Sequence, residues 1–334
     1  MDTNINLMML YCFIESFILT YVVMKLERSL GLLAIDVHKP HKPLIPKWGG
    51  IALLIHFSIL LLIIRFFISS SKVLANMYPH MLAVIIAGLI GLIDDIVGIN
   101  AVVKLLVFMI PSIPVIMFSS YVPHPFIPLV GSLRLTIVYP LLIALAYTVL
   151  SNAFNMTDTH NGTIMIISLS LILVLGITSI LGGPPPIRGF KVTLIVVLFT
   201  LLAYAPFNMY PARIFNGNCG SYLIGALMAS LIIMSRREFA ALLALTPLIL
   251  NGFSIITSIK GLRSKEHIPR PVVVDERGLI TANKSKDSPI TLIQLLTLSS
   301  KLSEKEIIIA YVLLYLFSSI TSILIYYALT LLTT

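Results

Sequence analysis

The chain has 334 residues, 58% of them hydrophobic and only 11% charged, with a mean hydropathy of +1.01. Soluble domains carry charge on roughly a quarter of their residues. This composition therefore excludes a water-soluble globular protein and predicts an all-α polytopic membrane protein, because a helix satisfies every backbone group inside the bilayer. The formal net charge of +9 is no sign of nucleic-acid binding until it is mapped onto the loops between apolar runs.

Those runs predict about ten transmembrane helices, near residues 7–26, 49–69, 79–95, 101–119, 135–151, 162–182, 191–207, 219–235, 238–259 and 306–332, in one membrane domain over 1–334. The first has no basic stretch before it and no small-residue cleavage site after it, so it is expected to be retained. Ten spans place both termini on one side. Segments 25–48, 94–104, 152–161, 208–218 and 260–305 then hold sixteen Lys/Arg, against seven on the other side: Arg65, Lys72, Arg134, Arg188, Lys191, Arg236 and Arg237. The positive-inside rule makes the richer side cytoplasmic and both termini extracytoplasmic.

Every polar cluster falls on the predicted cytoplasmic side, which suggests one site at that surface. A transport pathway would more naturally put its polar residues at mid-membrane, in broken helices. In "DVHKPHKPLIPKWGG", Lys39, Lys42 and Lys47 with His38 and His41 form a basic patch that also suits anionic headgroups. Glu15 and His56 lie within spans, where structural hydrogen bonding is expected. Asp94 and Asp95 close the third span. Negative charge at a helix C-terminus opposes the macrodipole, so a positive partner is expected there; magnesium, with its hard oxygen ligands, fits, and two solvated carboxylates are the plain alternative.

Gly98 then breaks the pattern, Asn100 can cap a new helix, and Lys104 in its first turns suits an anion or snorkels to the interface. Asn155, Asp158 and Asn161 are spaced by three and would share one face if helical. Their sequons, Asn155-Met-Thr and Asn161-Gly-Thr, lie at the membrane edge on the cytoplasmic side and are set aside. "FNGNCGS" offers Phe215 as a stacking ring and Asn218 as an oxygen ligand or cap. Cys12 and Cys219 lack metal-ligand spacing and read as small apolar side chains. Residues 260–305 are too long for a connector, so they should be disordered or form a functional cytoplasmic loop that contributes to the site.

Together, and in this order, the clusters over residues 30–275 resemble the polyprenyl-phosphate N-acetylhexosamine-1-phosphate transferases. The resemblance implies ten helices with both termini outside, and a multi-pass enzyme of the cell membrane whose active site faces the cytoplasm. It would transfer N-acetylhexosamine 1-phosphate, most simply GlcNAc-1-phosphate, from a UDP-sugar to polyprenyl or dolichyl phosphate, releasing UMP as a first step of lipid-linked glycan assembly. The family's Asp-Asp pair matches Asp94 and Asp95, and its pyrophosphate-contacting Lys matches Lys104. Its Asn-rich stretch for nucleotide and metal matches Asn152, Asn155 and Asn161, and its uracil-stacking ring matches Phe215.

The late loop "EHIPRPVV" supplies Arg270 as a pyrophosphate contact with His267 nearby, and Lys39 and Lys42 join the substrate-binding set. The implied cofactor is Mg2+, with Mn2+ as an alternative; the implied partners are the UDP-sugar, the lipid phosphate, membrane lipid and a second copy in a homodimer. Position 218 departs from the pattern: it is Asn where the family has a metal-binding Asp. Either Asn155, Asn218 and the diphosphate hold the ion, or Asp158 or the Asp94–Asp95 pair takes a larger share. The rival readings are a transporter or lipid flippase, and an inactive family member.

Overall fold

The computed structural model describes residues 5–259, 261 and 268–332. In chain order it contains α1 (Ile5–Ser29), the antiparallel hairpin β1 (Leu33–Ile35) and β2 (Leu44–Pro46), α2 (Gly50–Phe67), α3 (Ser71–Val97), α4 (Ala101–Val107) and α5 (Ser112–Met117). A second hairpin, β3 (Phe126–Ile127) and β4 (Gly131–Ser132), leads to α6 (Tyr139–Thr157), α7 (Thr163–Leu181), α8 (Phe190–Asn208), α9 (Gly217–Ser235), α10 (Glu238–Ala244) and α11 (Thr246–Ser258). A third hairpin, β5 (Val272–Val274) and β6 (Ile280–Ala282), precedes α12 (Leu292–Leu296) and α13 (Glu304–Leu331). Among the described residues, eight helices are long and apolar enough to cross a membrane, and α10 with α11 makes a ninth if that pair, bent by 65°, is one span. The protein is a polytopic membrane protein.

Two expected spans are modified by proline. The run 101–119 breaks into α4 and α5 around residues 108–111, because Pro111 and Pro114 have no N–H for the helical ladder. At the α10–α11 bend Pro247 likewise withholds an N–H, and the Thr246 hydroxyl donates instead to the carbonyls of Leu242 and Leu243 at 3.2 and 2.8 Å. The third helix, by contrast, runs through Pro79 and starts at Ser71, eight residues earlier than its apolar run suggested. Residues 268–303 carry their own short structure, β5, β6 and α12.

Helix α9 is the axis of the bundle. It is buried on every side from Cys219 to Ser235, whereas α1 and α13 turn large apolar side chains such as Leu10, Ile18, Leu313 and Phe317 outward. Lipid tails are as apolar as leucine, so packing and not water exclusion must hold such helices together, and that favours small residues at the contacts. A Cβ on Gly50 would stand 2.0 Å from the backbone N of Gly220, and one on Gly91 would stand 2.6 Å from the carbonyl of Asn218. These contacts let α2 and α3 lie against the start of α9. At the other end, buried Arg237 donates to the carbonyls of Thr178, Gly182 and Pro184, joining α7 to the α9–α10 turn.

Candidate active site

The close packing of α3 on α9 delivers both acidic residues to the N-terminus of α9. Asp95 accepts from the backbone N–H groups of Asn218 and Cys219, each at 2.9 Å. These are among the unpaired donors of a helix start, where the macrodipole is positive. Asp94, buried at 4% exposure, accepts the Ile99 N–H on Oδ1 at 2.7 Å. Its Oδ2 receives Lys104 Nζ at 2.7 Å, Asn218 Nδ2 at 2.8 Å and the Tyr222 hydroxyl at 3.2 Å. The positive partner expected beside this acid pair is thus supplied by Lys104 and the amides of α9.

Lys104 is held there by local rules. Gly98 caps α3, and Asn100 caps α4 by accepting the Val102 N–H at 2.9 Å, which sets Lys104 one turn into the new helix. Asn155, from the last turns of α6, completes the cluster: its Nδ2 donates to Asn218 Oδ1 and Ser221 Oγ, both at 2.8 Å. Asp94, Asp95, Lys104, Asn155 and Asn218 therefore meet at one end of the bundle, from four helices.

Other expected site residues make contacts of their own. Helix α6 ends at Thr157 with Asp158 as its C-cap, so Asn155, Asp158 and Asn161 do not share a helical face. Asp158 accepts from Asn216 Nδ2 at 3.0 Å on both oxygens, and Asn216 accepts in turn from the Tyr204 hydroxyl at 2.9 Å. Asn152 donates back to the Thr148 carbonyl at 2.8 Å within its own helix. Phe215 is half-buried, and its backbone is tied to Pro46 and Gly49. Lys42 is exposed at the tip of the β1–β2 loop, and Arg270 is exposed beyond α11. His267 lies outside the described residues.

A second polar cluster, missed at the sequence level, centres on Asp36. Lys39 forms a short ion pair with it and stands 3.6 Å from Glu304, while Asn161 Nδ2 donates to it at 3.2 Å. Burial pushes the Asp36 carboxyl up, but the bonds from Lys39 and Asn161 outweigh it and hold the group below its usual range. His38 stacks on His160 with ring centroids 4.0 Å apart and bonds the Thr159 carbonyl at 3.1 Å. Burial lowers both imidazoles, and His160 is lowered further by His38. Asn161 thus ties the α6–α7 turn to the β1–β2 loop, and Lys39 links Asp36 to Glu304 at the start of α13. A lone Asp directly before the basic patch was the available signal for this anchor; for Glu27, which accepts the Trp48 N–H at 3.0 Å, it was a carboxylate closing the first span.

For a metal, the donor chemistry is suitable and the count is lean. Among the described residues no three His, Cys, Asp or Glu side chains gather around a point. Asp94, Asn155 and Asn218 do offer hard oxygens within one hydrogen-bonded cluster, as magnesium prefers. They leave most of its coordination to water and substrate oxygens. An oxygen-lined cluster with a paired lysine at one end of a membrane-spanning bundle is the class of site the fold presents, and its ammonium group and amides are of the chemistry that binds phosphate.

The comparisons narrow the class. Residues 77–236 match the model of glycosyl transferase family 4. A protein of Saccharolobus solfataricus, named provisionally as a UDP-N-acetylglucosamine–dolichyl-phosphate N-acetylglucosaminephosphotransferase, is 32% identical over 268 residues, covering 77% of this chain and 80% of the relative. A protein of Sulfolobus acidocaldarius with the same provisional name is 30% identical over 66% of this chain and 67% of its own. The phospho-N-acetylmuramoyl-pentapeptide-transferase of Staphylococcus haemolyticus is 28% identical over 64% of this chain and 70% of its own. The chain belongs to glycosyl transferase family 4.

Proposed function

We propose that the protein transfers N-acetylglucosamine 1-phosphate from UDP-N-acetylglucosamine to dolichyl or a related polyprenyl phosphate and releases UMP. The observation that carries this reading is the Lys104–Asp94 pair at 2.7 Å, joined through Asn218 to Asn155. A fixed cation beside neutral amide donors is the chemistry a diphosphate needs, and the names of the relatives suggest the substrates.

An oxygen of the lipid phosphate attacks the sugar-bearing phosphorus of the UDP-sugar. One P–O bond forms, the bond to the bridging oxygen breaks, and UMP departs with that electron pair. A phosphate monoester has a second pKa near 6, so the nucleophile is largely deprotonated at neutral pH and needs little help from a base. Catalysis then reduces to positioning and charge neutralisation. Lys104, paired with Asp94 until substrate arrives, neutralises the diphosphate, and Asn155 and Asn218 orient phosphate oxygens. Arg270, exposed after α11, brings a second cation, and Phe215 offers a ring for the base. A divalent ion, Mg2+ or Mn2+, held by Asp94, Asn155 and Asn218 would supply further neutralisation of the diphosphate.

The same reading has ten crossings, with α4 and α5 as one of them. Its support is that the C-terminal ends of both α3 and α6 meet Asn218, so the chain between them must cross the bundle and return. With the Lys/Arg-rich loops at this end, the site faces the cytoplasm and both termini face out. The test is to incubate membranes containing the protein with radiolabelled UDP-N-acetylglucosamine, dolichyl phosphate and magnesium. Label should enter the lipid phase with one UMP released per transfer; no labelled lipid, under conditions where an active relative succeeds, sinks the proposal.

A further inference from the structure

We infer that this chain retains a divalent cation only together with a nucleoside diphosphate, because Asn218 ties the oxygen donors of the site to one another. The inference rests on the function proposed above. Asn218 gives its amide N–H to Asp94 and receives the amide of Asn155 on Oδ1, both at 2.8 Å. Asp94 has its remaining capacity filled by Ile99, Lys104 and Tyr222. Both oxygens of Asp95 accept from the first amides of α9. Each carboxylate is thus already stabilised, one by an ammonium group and one by a helix N-terminus.

A cation arriving alone must pull Lys104 or the Asn218 amide away from Asp94. It would break charge-assisted bonds and gain mainly neutral amide oxygens in return. A diphosphate changes both sides of that balance. It brings hard anionic oxygens to the cation, and it offers Lys104 another partner, which frees Asp94. Cation and nucleotide therefore bind with positive coupling, and by linkage each tightens the other by the same factor. A carboxylate at position 218 has no N–H to give Asp94 and adds a negative charge, so it makes a site that takes the cation alone.

The experiment measures Mn2+ retained by the detergent-solubilised full-length protein on ultrafiltration, with and without UDP, correcting for the Mn2+–UDP complex in protein-free controls. UDP retention is measured in parallel with and without Mn2+. For the wild type, UDP should tighten Mn2+ about tenfold or more, within the range usual for coupled sites, and Mn2+ should tighten UDP equally. Asn218→Asp should retain Mn2+ without UDP, and the coupling should fall below about fivefold, the lower end of the range usual for coupled sites. Equal Mn2+ retention by the wild type with and without UDP overturns the inference, as does undiminished coupling in Asn218→Asp. Should that variant fail to fold, the wild-type coupling decides alone. Failure of UDP to bind under any condition removes the proposed function as well, and the missing UDP signal tells the two failures apart.

Discussion

Asp94 and Asp95 are neighbours in sequence with different work. Asp94 holds Lys104 and Asn218 side chains, whereas Asp95 accepts two backbone amides of α9 and so fixes the helix start on which Asn218 stands. Lys104→Ala should lower transfer by about two to three orders of magnitude, the usual loss when one fixed electrostatic group is removed from a reacting centre. Its chromatographic profile should remain that of folded protein. Asp95→Ala should instead lower stability by about 1 kcal/mol or more, the scale of losing a helix N-terminal acceptor, seen as a lower melting temperature. Glu15 and His56 were expected to be structural, and their 2.8 Å contact, continued by the 2.9 Å contact of His56 with Thr200, ties α1, α2 and α8 together. For the acids the residue types were legible from sequence. Their division of labour was not, because it depends on which end of α9 lies opposite.

Elements meet here through small residues and loop anchors. With only 2.0 Å between a Cβ on Gly50 and the Gly220 nitrogen, Gly50→Ala must push α2 off α9. Such overpacking typically costs about 1–3 kcal/mol, and a thermal melt of the purified variant should show the loss. The β1–β2 loop is clasped to the α6–α7 turn by the His38–His160 stack and by Asp36. Both imidazoles sit below the ordinary 6.5 in the folded protein, by burial first. As pH falls through 6.5 the unfolded chain takes up protons before the folded one, so stability declines below that value and is flat above it. Melting temperatures recorded from pH 8 to pH 5 should show this acid slope. His160→Phe, which keeps a ring in the stack without a titrating nitrogen, should reduce it.

At the scale of the molecule, the site end gathers the β1–β2 loop, which carries Lys39 and Lys42, with the start of α9 and the ends of α3 and α6. Lys42 and Arg134 are both exposed and lie at opposite ends in this arrangement. Single cysteines placed there, with the native Cys12 and Cys219 buried, give a direct reading of sidedness. In right-side-out vesicles an impermeant maleimide should label Arg134→Cys and spare Lys42→Cys, and inverted vesicles should reverse the pattern. Equal labelling of both from one side would refute the ten-crossing, outward-termini arrangement.

The membrane character, most of the helices and the chemical alphabet of the site were determined by the sequence alone, because hydrophobic length and loop charge are local properties that a bilayer reads directly. So were the cap at Asn100 and the break at Gly98, which set Lys104 one turn into α4. What only the tertiary structure decided was partnership. Spacing by three suggested that Asn155, Asp158 and Asn161 act together, yet α6 stops at Thr157 and sends each to a different partner: Asn218, Asn216 and Asp36. Lys39, expected among the substrate contacts, pairs with Asp36, which the sequence did not indicate. A buried polar group takes the partner that packing brings within hydrogen-bonding distance, and for Asn155 and Asp158 that is the close approach of α6 to α9, where a Cβ on Gly225 would stand 2.6 Å from Ser151 Cα.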